Sequence, residues 1–99
     1  MTEVRNHAGQ SMLRVEGGAI LNHLGQTLAT IEGGRLLNLQ GQQLAVAVDG
    51  GFETHGGAAF RLEGDTLLGP TGSELGTVTG GDETDRSLAA AAYVEFFMG

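Results

Sequence analysis

His7 and His23 stand sixteen positions apart, each directly after an Asn, and with His55 they are the chain's histidines. Converging with a carboxylate, they would offer the three ligands of an open zinc site. The pattern around them has a plainer meaning. Both fill the second position of an Asn-x-x-Gly turn, a slot that selects no ligand type and that Leu39 and Pro70 occupy in sister turns. The expectation is exposed turn residues. Glu16, Glu32, Asp49 and Glu63 form a second row, each placed before a glycine-rich turn. Stacked in register they would resemble a calcium ladder, yet one carboxylate per unit falls far short of six to eight oxygen ligands. Acids on a solvent rim account for them.

Nucleophiles are no better placed. Ser11, Ser73 and Ser87 lie outside any Gly-x-Ser-x-Gly elbow, and the chain has neither Cys nor Lys, its five basic residues all being Arg. Thiolate chemistry, Schiff bases and the phosphate-loop lysine are thereby excluded. Asp82 and Asp85 open a helix, where capping explains them. The expectation is a protein that is no enzyme and needs no cofactor or metal.

The elements that carry these residues repeat. On a step of sixteen, Asn6-His7-Ala8-Gly9-Gln10 aligns with Asn22-His23-Leu24-Gly25-Gln26 and with Asn38-Leu39-Gln40-Gly41-Gln42. After each comes an apolar run, an acid, and Gly-Gly at 17–18, 33–34 and 50–51. The last gap is one residue longer, which predicts a β-bulge within Ala45-Val46-Ala47-Val48. Gly50 to Glu63 is a shortened fourth unit, and Gly64 to Gly81 a fifth in register with Gly17 to Gly34. Asn first and Gly fourth is the mark of a type I turn ending in a left-handed residue, and Pro70 takes the second place such a turn prefers. The Gly-Gly pairs suit two-residue turns with both residues at positive φ.

Five hairpins of about ten short strands follow, over residues 1–81. Val4, Ile20, Leu36 and Leu67 share one slot and are expected to face inward together. Leu44 to Val48 is apolar on both faces, which predicts a sheet covered on both sides there. After Gly81 the texture changes, and 82–99 is predicted to form a helix over Thr84 to Phe97 packed on the sheet within a single domain. The fold class is therefore mainly β, an antiparallel meander or barrel-like sheet with one C-terminal helix. The alternative is a β-solenoid, favoured by the recurrence of Gln10, Gln26 and Gln42, since stacked amide ladders stabilise parallel coils.

The repeat resembles the short glycine-rich hairpin repeats of uncharacterised bacterial proteins, over Met1 to Gly81 and most fully over Gly17 to Asp49. The resemblance implies this fold and carries over no functional residue. With 99 residues, one domain is the natural size. A net charge of −7 argues against nucleic acid and anionic membranes. The polar N-terminus and the absence of a long apolar run favour a cytoplasmic protein, and with no active-site pattern no small-molecule substrate is expected. The expected function is a non-catalytic structural or protein-interaction module that self-associates through open sheet edges or through Tyr93, Phe96, Phe97 and Met98. The alternative is a small acidic inhibitor or immunity-type protein binding a basic partner protein.

Overall fold

The computed structural model describes residues 2–98, so Met1 and Gly99, the outer limits of the two predicted segments, lie outside the described residues. Ten strands follow one another as β1 (Thr2–Asn6), β2 (Ser11–Glu16), β3 (Ala19–Asn22), β4 (Thr27–Glu32), β5 (Arg35–Leu37), β6 (Gln43–Val48), β7 (Gly51–Thr54), β8 (Ala59–Glu63), β9 (Thr66–Leu68) and β10 (Glu74–Thr79). Each pairs antiparallel with its neighbours in sequence, and β1 pairs with β10 to close a barrel. The solenoid is thus excluded, because Asn6, Asn22 and Asn38 are separated by intervening strands. The same closure removes the expected sheet edges: among the described residues no strand is left with an unpaired side, so edge pairing is no longer a route to assembly.

Closure keeps the register of the repeat. Val4 opposes Val78 and Asn6 opposes Gly76, as Ile20 opposes Val15 and Asn22 opposes Leu13 within the chain. β1 therefore takes the place of a sixth unit's first strand. Gly76 is required there, because a Cβ would overlap the carbonyl oxygen of Arg5.

The bulge is real but lies elsewhere. It follows the Asn turn in four of the five units, where Met12, Leu28, Leu44 and Leu75 are each skipped by the ladder. β7 and β8 pair without it, which is where the shortened fourth unit lost its residue. The third unit keeps the step of sixteen. Its turn is Asp49-Gly50, with only the glycine at positive φ, while Gly51 enters β7 opposite Val48. Gly51 is needed for close approach, since a Cβ would overlap the Phe60 carbonyl. Gly17-Gly18 and Gly33-Gly34 have both residues at positive φ, as the sequence requires.

The helix α1 (Glu83–Tyr93) fills the barrel. Every residue from Ser87 to Tyr93 is buried, whichever face it stands on, and α1 packs against strands from both halves of the ring. Ten strands close into a cylinder of roughly 10 Å radius at ordinary spacing and tilt. The helix backbone alone takes about 2.3 Å of it, leaving room for one small side chain from the helix and one medium one from the wall. Ala89-Ala90-Ala91-Ala92 keeps the helix thin all round. Val4, Ile20, Leu36, Leu67 and also Phe52 line the wall, completely buried. Phe52 stacks on Phe60 at 4.9 Å and carries the core from β7, against which the helix packs, on to β8.

Among the described residues no element packs on the outside of the wall. In β6 Ala45 is buried, whereas Val46 is half-buried and Val48 exposed, so the expected two-sided cover is absent and only the inner face is core. The helix starts at Glu83, capped by Asp82, whose carboxylate accepts the Asp85 N–H at 2.8 Å. It widens into a π-helical segment over Val94–Met98, ending close to the expected position.

Candidate functional site

The two kinds of turn stand at opposite ends of the barrel. One rim carries the Asn turns at 6–10, 22–26, 38–42, 54–58 and 69–73; the other carries the glycine turns. The helix enters at the glycine rim, where the Gly50 N–H donates to Glu83 at 3.4 Å and Arg86 donates to the Gly64 carbonyl at 2.7 Å. It emerges at the Asn rim, where Phe97 sits beside Gln10, Met12 and His23.

Each full Asn turn is a closed clasp. In the second unit Asn22 Oδ1 accepts the N–H groups of Leu24 at 2.9 Å and Gln26 at 3.0 Å, while its Nδ2 donates to Gln26 Oε1 at 2.9 Å. Asn6 with Gln10 and Asn38 with Gln42 repeat the pattern. The recurring Gln thus closes its own turn and forms no ladder between units. Thr54 stands in for Asn in the fourth unit, its hydroxyl accepting the Ala58 N–H at 3.1 Å.

This rim leaves apolar side chains in the open. Leu24 is 71 % exposed and Leu39 64 %, Phe96 and Phe97 are each 40 %, and Met98 is 47 %. Leu24 and Leu39 lie on neighbouring turns, and Phe97 reaches the first of these through His23. Of the four aromatic-end residues expected to make contacts, three are on the surface. Tyr93 is not: it is 6 % exposed, donates to the Leu75 carbonyl at 3.4 Å and stacks under Phe97 at 6.0 Å. A full helical turn separates it from the mouth of the barrel, so it is core. Sequence reasoning does not single out Leu24 and Leu39; the signal that points to them is an apolar residue in a turn slot that His or Gln fills elsewhere.

His7, His23 and His55 are exposed on the same rim, on separate turns. Among the described residues, no three His, Asp or Glu side chains gather as metal ligands. The row of acids lies on the glycine rim and is partly answered by arginine, Arg14 pairing with Glu16 and Arg61 with Glu63 at 3.0 Å; Arg86 pairs at the same rim with Asp65, outside the row, at 2.8 Å. Asp49 sits in its turn rather than before it. Beside it, Glu83, Thr84 and Ser87 line a shallow notch, and the Ser87 hydroxyl is the one buried side-chain group among the described residues without a hydrogen-bond partner.

None of the described helices is long and apolar enough to cross a membrane. Comparison with protein families, curated proteins and solved structures finds no match.

Proposed function

We propose that this chain is a non-catalytic protein-interaction module that binds through its Asn rim. The observation that carries the reading is the composition of that rim. Its five turns contain no Asp, Glu, Lys or Arg, and it exposes Leu24, Leu39, Phe96, Phe97 and Met98. Depletion of charge around exposed aromatic, Leu and Met side chains is what the core of a protein interface looks like before it is covered. The barrel supplies the rigidity, since clasped turns present the patch without being ordered on binding. Absence of catalysis, of nucleic-acid and membrane binding, and a cytoplasmic setting belong to the same proposal and rest on composition.

Photo-crosslinkers placed at Leu24 and at Leu39, with a control at Val48 on the opposite rim, test it. Protein adducts from the rim positions and none from the control are expected. Equal labelling from both ends would remove the reading.

A second reading has its own observation. Asp49, Asp82 and Glu83 cluster at the glycine rim without an arginine partner among the described residues. They supply the negative face that an inhibitor of a basic protein needs, and its binding would weaken steeply with salt.

A further inference from the structure

The Asn rim's occupant can be taken one step further, resting on the reading that this rim binds protein. We infer that it is a second copy of the same chain, docked rim to rim about a two-fold axis.

Charge points this way. A molecule of net charge −7 meets its own copy favourably only where acids are absent. The glycine rim has an acid at or beside every turn: Glu16, Glu32, Asp49, Asp65 and Asp82. The outer wall carries Glu3, Glu53 and Glu74 alongside Arg5 and Arg61. The Asn turns themselves contain no charged residue, and Glu53 and Glu74 adjoin two of them. Arg5 and Arg14 donate to the Gly9 and Asn22 carbonyls at 3.5 and 3.4 Å, and Glu95 stands on the emerging helix end, so at this rim acids are met by guanidinium groups instead of by acids alone. Rim-to-rim docking places both acidic rims at the far ends of the pair.

The chemistry is also self-complementary. A two-fold contact brings the same patch against itself, so it must offer apolar area together with groups that both donate and accept. Leu24, Leu39, Phe96, Phe97 and Met98 supply the first, with the side-chain amides of Asn and Gln around the rim supplying the second. These five residues together leave on the order of 500 Å² of surface open, in the range of exposed apolar surface that marks interaction sites. With the amide rim included, the face approaches the ~800 Å² per partner of a standard interface. Stacking along one axis without closure would need the apolar rim to meet the acidic one, and apolar groups offer acids no compensation.

The repeat supplies substitutions that leave the fold alone. Gln40 fills the slot of Leu24, and His7 and His23 that of Leu39, in turns of the same geometry. In sedimentation experiments on the 99-residue chain, the mass is expected to rise from one copy to two between about 10 μM and 1 mM, the span of a modest interface. Leu24→Gln with Leu39→His is expected to raise the dissociation constant by roughly tenfold or more with an unchanged circular dichroism spectrum. A dimer indifferent to this pair, or a mass that grows past two copies, overturns the inference. A monomer at every concentration overturns it too. In that case, adducts of a different protein at Leu24 would leave the interaction module standing, and their absence would remove both.

Discussion

At each Asn-Gln turn one side-chain amide holds two backbone N–H groups and then reaches the next amide, so the turn residues form a graded set. Asn22 is expected to matter more than Gln26. Asn22→Ala loses every side-chain bond of the clasp and should cost about 1–2 kcal/mol, whereas Gln26→Ala loses one exposed bond and should cost about 0.5 kcal/mol. Urea unfolding of the two variants measures the difference; equal costs would mean the clasp is not what fixes the turn. Two carboxyls on the barrel titrate with opposite consequences. Asp85 is pushed above its ordinary value by burial and then by the charge of Asp82, so its ionised form opposes folding at neutral pH. That penalty fades as pH falls through the raised value. Glu3 is held below its ordinary value first by the Ser11 hydroxyl at 2.7 Å, against some burial and with help from Arg5. Its stabilisation is present at neutral pH and is lost as pH falls through the lowered value. Thermal melts should therefore find Asp85→Asn above the parent at neutral pH and Glu3→Gln below it. Both differences should close near pH 3 or below, where carboxyls protonate in folded and unfolded chains alike.

The helix is an element chosen for its width. Four consecutive alanines occupy every direction around its axis, and all are completely buried against a closed wall. On a surface helix an Ala→Leu change is nearly neutral, because the two have similar helix propensity. Inside this barrel there is no side toward which the added atoms can move. Ala90→Leu is expected to destabilise by about 1–3 kcal/mol or more by overpacking, in a denaturant titration that leaves an exposed control such as Thr84→Leu little changed. A neutral outcome would show that the barrel expands, and that the radius set by ten strands is not the constraint.

For the molecule as a whole, the barrel and its helix stand or fall together. The wall's inner face has no second layer to cover it except α1, and the shell without the helix would enclose a dry void that nothing fills. Ending the chain after Gly81 is expected to abolish the cooperative transition and leave a species that scatters light, since an opened ring exposes strand edges. A monomeric, cooperatively folding 1–81 fragment would show that the strands close by themselves. The full chain, with both strand edges paired by its own closure, should stay clear of fibrils under the same conditions despite its repeated β segments.

Much of this fold is local, and what is local can be read from residues. The Asn and Gly positions specify turns of known geometry, the apolar slot at Val4, Ile20, Leu36 and Leu67 specifies an inner face, and the run after Gly81 specifies a helix that wants burial. Those properties depend on neighbours within a few positions, so one sequence was enough to place them. Other properties depend on the sum of all units. Five hairpins at their natural twist bring β1 to β10 in register, and only that distant pairing decides that no edge is left open. Only the ring's circumference makes the helix a plug instead of a cover, which buries Tyr93 and carries Phe96, Phe97 and Met98 out at the far rim. The sequence by itself determined the repeating unit and its turns; the tertiary structure decided closure, and with closure which end of the molecule is left apolar and uncharged.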